Sequence, residues 1–227
     1  MAGGTIGVFS LEQARSSYFS YSLAALQKPN NTTVRWAMGK TVIDGQNWLV
    51  DQMAGDWLWI LGDDHEFADD ALLALLKRNV DIVAPLNVMR QMPFQPLIFD
   101  DSGHRWDWEK VGNRSGMLEV DACGNAGMLI RKRVFDKLEK PYFGWAEEGN
   151  PYAGSDLGFC WKAREAGFKV HLDFNVLFGH TTLTTFVPTR LGEGGEFGVV
   201  QKVQGEPTSV FRFKHGQMPT LFEQKGI

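Results

Sequence analysis

Four short apolar runs recur at near-regular spacing through the first third of the chain: TIGVF (Thr5–Phe9), TTVRWAM (Thr32–Met38), DWLWIL (Asp56–Leu61) and VDIVAPL (Val80–Leu86). Each is too short for a buried helix, and each is bounded by polar or turn-forming residues. Between them lie segments with helical spacing. In LEQARSSYFSYSLAAL, Tyr18, Tyr21 and Ala25 share one face and Phe19, Leu23 and Leu26 an adjacent one. DGQNWLVDQM reads as a short helix capped by Asp44. ADDALLALLKRN carries acids in its first turn and bases in its last, the order that the helix dipole prefers, with Asp69 or Asp70 as its cap. The order β-α-β-α-β-α-β leaves one economical solution, a mainly parallel α/β sheet with helices on its faces.

The middle of the chain is less periodic. QPLIFDDSGHRWDWE reads as a hairpin turning at Asp101–Gly103. GMLEVDACGNAGMLIRK reads as two strand segments split by Cys123, Gly124 and Asn125, and RVFDKLEK as a short helix stopped by Pro141. SDLGFCWKAREAG is a helix with Ser155 as N-cap and Gly167 as the residue after its C-cap, and FKVHLDF is a strand. After residue 180 the texture changes: RLGEGGEFG is glycine-rich, and the residues from 199 to the end show no clear period. The expected division is residues 1–180 as one α/β domain and 181–227 as an irregular appendage of the same unit, a lid with a few strands.

Composition narrows the partners. With 227 residues the chain suits one medium domain, and a formal charge of −4 gives no general reason to bind nucleic acid or an anionic membrane. Cys123 and Cys160 sit in apolar surroundings outside any CxxC pattern, so they read as buried thiols. No basic-then-apolar leader opens the sequence, and no uncharged apolar run is long enough to cross a bilayer. A cytoplasmic location is the expectation.

The chemistry concentrates where the strand DWLWIL runs into Asp63, Asp64 and His65. In an open α/β sheet ligands bind beyond the carboxyl ends of strands. Carboxylates there suit Mg²⁺ or Mn²⁺, and an imidazole tilts the choice towards Mn²⁺ or Zn²⁺. A plain polar turn explains an isolated acidic triplet about as well.

Three segments in order, LGDDHEF, GNAGMLIRKRVF and SDLGFCWKAREAGFKV, resemble the GT-A glycosyltransferases of the family 2 type, over roughly residues 5–180. The resemblance implies a GT-A-like fold and a hexosyltransferase-type activity that uses a nucleotide-diphosphate sugar, such as a UDP-sugar, and an acceptor hydroxyl. It implies Mn²⁺ or Mg²⁺ at a DXD-type motif formed by Asp63, Asp64 and His65, with His180 of VLFGH as a late ligand. Gly62 stands where many relatives carry the first acid, so a shifted DXD and a DXH reading both fit, and the DXH reading would suit a retaining enzyme instead. Asp156 takes the place of the catalytic base of an inverting enzyme. Donor contacts are implied at Ser10, Glu12 and Arg15, at Asp44 and Asn47, and at Gly124, Asn125 and Gly127. Trp145, Tyr152, Glu147 and Glu148 are implied on the acceptor side. Two other readings stand beside this one: a non-catalytic binder of nucleotide or glycan, and a metal-dependent nucleotidyltransferase. The latter expects a glycine-rich phosphate loop that SLEQARSS lacks.

Overall fold

In a computed structural model, residues 3–10, 17–90, 93–144, 154–181, 185–191, 196–203, 206–212 and 220–224 are described. The chain begins β1 (Gly4–Ser10), α1 (Ser17–Ala25), β2 (Thr32–Met38), α2 (Val42–Asp51), β3 (Trp57–Gly62), β4 (His65–Glu66), α3 (Ala71–Lys77) and β5 (Ile82–Leu86). It continues through β6 (Ile98–Phe99), α4 (Trp108–Val111), β7 (Met117–Val120), β8 (Ala122–Cys123), β9 (Leu129–Arg131), α5 (Lys132–Lys137) and α6 (Ser155–Glu165). Strands complete it: β10 (Val170–Leu177), β11 (Gly179–Thr181), β12 (Thr185–Leu191), β13 (Glu196–Val203), β14 (Glu206–Arg212) and β15 (Thr220–Gln224).

Seven strands form the central sheet in the order β2-β1-β3-β9-β5-β10-β7. β1 pairs in parallel with β2 and β3, and β5 with β10, while β9 and β7 run antiparallel to their neighbours. This is the mixed, mainly parallel α/β sheet expected for a GT-A-like fold. Its strands read as continuous apolar runs because both faces are covered. Along β3, Leu58 and Ile60 face a core shared with Leu49 of α2 and Phe159 of α6. Trp57, Trp59 and Leu61 face a second core with Phe19 of α1 and Leu72 and Leu75 of α3. The period-2 alternation of strand side chains thus serves two hydrophobic cores at once.

Several helix starts differ from the sequence reading, for local reasons. α2 begins two residues before Asp44, with Thr41 as N-cap. The Thr41 hydroxyl accepts from the Asp44 N–H at 3.1 Å and donates to Asp44 Oδ2 at 2.7 Å, so Asp44 is the third helical residue of a reciprocal cap. At α6 the cap position belongs to Gly154 (φ 101°), and Ser155 is the first helical residue. Asp70 holds the N-cap position of α3 without a side-chain cap bond, while Asp69 accepts from Gln27 Nε2 at 2.8 Å. The expected turn at Asp101–Gly103 is present, closed by Gly103 N–H to Asp100 O at 3.0 Å with Gly103 at φ 78°.

The segment after residue 180 is more regular than its composition implies. β11 to β15 form an antiparallel meander whose inner strand, β11, pairs with β4. Leu191, Phe197 and Val199 are buried, and Phe197 and Val199 join the core that contains α6. Phe186 packs on Phe94 with ring centroids 4.4 Å apart. An amphipathic strand with glycines and charges on one face gives a weak periodic signal, which is why sequence alone left it irregular.

An ion pair between a half-buried arginine and a buried aspartate ties the sheet to a helix end. Asp173 of β10 is 0 % exposed and takes Arg78 in a fork, Nε to Oδ2 at 2.6 Å and Nη2 to Oδ1 at 3.1 Å. Arg78→Met is expected to destabilise the fold by about 3–5 kcal/mol, because it strands a carboxylate in the interior. Urea unfolding measures this, and a loss below about 1 kcal/mol contradicts it.

Candidate metal centre and cleft

The metal-ligand candidates meet through a strand pairing that spans most of the sequence. β3 ends at Gly62, the chain turns through Asp63 and Asp64, and β4 then pairs antiparallel with β11 so that His65 lies directly opposite His180. Their rings stack with centroids 4.6 Å apart. The Thr181 N–H donates to the Asp64 carbonyl at 2.7 Å and locks the turn. As a result, ligand atoms of Asp64, His65 and His180 lie within 4.8 Å of one another.

The polar groups of this trio fit a cation. His180 Nδ1 is 3.1 Å from the Val88 carbonyl, which can only accept, so Nδ1 carries the proton. That leaves His180 Nε2 facing Asp64 Oδ2 at 3.2 Å, where a proton or a cation must sit between two lone-pair atoms. His65 is 5 % exposed, and its Nδ1 lies 2.8 Å from Asp64 Oδ1. The contact is short but misaligned: neither imidazole nitrogen of His65 makes a hydrogen bond, although both are buried. A metal ion would take one of these nitrogens without requiring hydrogen-bond angles. Burial alone would push the Asp64 carboxyl up, but the hydrogen bond and charge of His180 and the close imidazole of His65 prevail and hold it far below the usual carboxylate range. Arg90, which no sequence pattern singles out, adds a guanidinium Nη1 at 3.1 Å from Asp64 Oδ2.

Asp63 stands apart from the trio. Its Oδ2 accepts from the Ser10 hydroxyl at the end of β1, so it ties two adjacent strand ends together. Gly62 also finds its reason here. A Cβ at that position would come within 2.8 Å of Asp64 Oδ1 and 3.1 Å of His65 Nδ1. A side chain at this position would therefore press on the trio.

Asp156 lies in the first turn of α6 on a separate cleft of roughly 830 Å³, which is also lined by Val42, Ile43, Asp44, Gln46 and Asn125. Burial pushes the Asp156 carboxyl above the usual range, opposed by backbone N–H groups of Leu157, Asp156 and Asn125 and by the charge of Arg105. The Leu157 N–H donates to Oδ1 at 2.9 Å. Arg105 is itself held by Met89 and Gln95.

The remaining sequence candidates divide. Asp44 and Asn125 line the cleft. Asn47 does not join them: its amide is committed to the carbonyls of Ile43 and Phe143 and the N–H groups of Tyr142 and Phe143. Gly127 (φ 76°) is required by packing, since a Cβ there would lie 2.5 Å from Phe178 and 2.7 Å from Pro85. Gly124 packs on Leu97, with a Cβ-to-side-chain approach of 3.3 Å. Glu12, Arg15, Trp145, Glu147, Glu148 and Tyr152 lie outside the described residues. Cys123 and Cys160 are buried and free. No described helix is long and apolar enough to cross a membrane.

No protein-family model matches the chain, and no curated protein matches its sequence. Among solved structures the chain is similar to the crystal structure of A197 from STIV, with a TM-score of 0.62 and 14 % identity over 96 % of this chain and 100 % of that one. It is more distantly similar to S. aureus TarS 1–349 in complex with UDP-GlcNAc, with a TM-score of 0.48 and 12 % identity. That alignment covers 76 % of this chain and 56 % of the other. At such identities these likenesses concern the fold alone.

Proposed function

We propose that this chain is a metal-dependent glycosyltransferase that moves a sugar from a nucleotide-diphosphate donor to an acceptor hydroxyl with inversion. The observation that carries the reading is the convergence of Asp64, His65 and His180 beyond the carboxyl end of a central strand, with the buried His65 imidazole making no hydrogen bond although its Nδ1 lies 2.8 Å from Asp64 Oδ1. A two-imidazole, one-carboxylate donor set favours Mn²⁺ over Mg²⁺. When bound, the ion would neutralise charge that develops on the diphosphate leaving group. Arg90 stands beside it as a guanidinium suited to a phosphate oxygen.

Asp156 is the base. Its carboxylate takes the proton of the acceptor hydroxyl as the oxygen bonds to the anomeric carbon. The bond from that carbon to the diphosphate breaks, and its electron pair leaves on the phosphate oxygen. A carboxyl pushed up by burial is a stronger base than an exposed one, which suits proton abstraction near neutral pH.

Isothermal titration with UDP, with and without Mn²⁺, tests the reading. Heat of binding is expected only when the ion is present, and a panel of UDP-sugars should then be slowly hydrolysed. Binding without turnover on any donor would make the chain a binding module. Failure of every nucleotide diphosphate to bind would remove the proposal.

A further inference from the structure

The cleft beside Asp156 contains a polar pair whose unmet hydrogen bonds only the folded chain reveals. Gln46, on α2, is 1 % exposed and its Oε1 finds no hydrogen-bond partner. Asn125 is 8 % exposed and its Nδ2 likewise has none. Both side chains line the same cleft. A buried acceptor and a buried donor, each left unsatisfied, are costly to a fold unless water or a ligand completes them. Among the described residues the charged groups that line this cleft are Asp44 and Asp156, both acidic, with the Arg105 charge acting on Asp156. Val42 and Ile43 supply apolar wall. Alternating hydrogen-bond donors and acceptors on an uncharged body with apolar C–H faces describe a sugar ring.

We infer that Gln46, together with Asn125, forms the subsite that reads an uncharged glycosyl ring, and that Gln46 determines which ring is accepted. This rests on the transferase reading only for which substrate the ring belongs to; the subsite stands on the cleft's own chemistry. A site built to hydrogen-bond hydroxyl or amide groups rejects analogues that leave its buried polar atoms unpaired. Gln46 sits one helical turn inside α2, whose start is fixed by the Thr41–Asp44 cap, so its amide is held in place by a rigid element.

The test uses the full chain without metal or nucleotide. The probes are methyl α-D-glucopyranoside and methyl N-acetyl-α-D-glucosaminide, followed by titration calorimetry and ligand-observed NMR. At least one probe should bind the wild type, and Gln46→Met should weaken it by about tenfold, the worth of one hydrogen bond. The same variant should keep or raise the Tm, because it removes an unsatisfied buried oxygen. A purely structural glutamine would instead lower it. Gln46→Glu, which keeps an acceptor, serves as the second variant and should retain part of the affinity. Competition by a UDP-sugar with Mn²⁺ but not by UDP with Mn²⁺ assigns the ring to the donor; no competition by either assigns it to the acceptor. The inference is overturned if neither probe binds the wild type, if Gln46→Met binds as tightly, or if pyrophosphate displaces the probe from the cleft in Asp64→Asn. Retained probe binding in a chain that never binds UDP would sink the transferase reading and leave the subsite standing.

Discussion

Asp156→Asn is expected to lower kcat by roughly 10²–10⁴-fold while leaving Mn²⁺ and UDP affinity unchanged. The amide preserves size and can still accept from the Leu157 N–H, as the carboxylate does at 2.9 Å, so the loss reads the proton-accepting role and not a collapsed helix start. Burial raises the pKa of this carboxyl in the folded chain. A base works only when ionised, so the rate should rise with pH through a value above the usual carboxylate range, and that limb should vanish in the variant. The stability sign is the opposite one. A carboxyl whose folded pKa is raised favours the fold when protonated, and that contribution is lost as pH rises through the raised pKa. At neutral pH Asp156→Asn should therefore be at least as stable as the wild type. A dead variant that also melts lower and loses UDP binding would assign Asp156 a structural role.

Replacing either Asp64 or His180 should weaken Mn²⁺ binding by at least the roughly 10–100-fold that results from disturbing groups that merely orient ligands. Calorimetry, or the loss of the free-ion EPR signal on titration, measures it. Asp63→Asn is the contrast. Its carboxylate is turned to the Ser10 hydroxyl, so it should cost some stability at the strand ends and leave ion affinity nearly unchanged. Saturating Mn²⁺ should also raise the Tm of the wild type, by linkage worth about 2.7 kcal/mol at a hundredfold excess over Kd. The same rise should be absent in Asp64→Asn. Equal losses of affinity in the Asp63 and Asp64 variants would show that the ion is held differently from the trio described.

Much of this was legible in the residues. The alternation of TIGVF, TTVRWAM, DWLWIL and VDIVAPL with amphipathic segments named the sheet, because strand and helix periods are local properties of the chain. The capping details were less legible. Asp44 was visible as a helix-start signal, but the start itself belongs to Thr41, whose hydroxyl makes the reciprocal bond. Gln46 and Arg90 carried no signal at all. A glutamine inside a helix and an arginine after a strand are ordinary in a sequence, and only the partners around them make them unusual. Asn47 shows the reverse: a polar residue in the right neighbourhood whose amide the fold has already consumed.

The sequence by itself determined the α/β class, the strand that runs into Asp63, Asp64 and His65, and the helix whose first turn holds Asp156, since each depends on neighbours within a few residues. Only the tertiary structure decided which of those acids turns towards the histidines. That choice hangs on β4 pairing with β11 across more than a hundred residues, on the Val88 carbonyl that orients His180, and on the space a glycine at position 62 leaves open. Long-range pairing and steric exclusion are properties of the folded chain, and no local pattern in the sequence encodes them on its own.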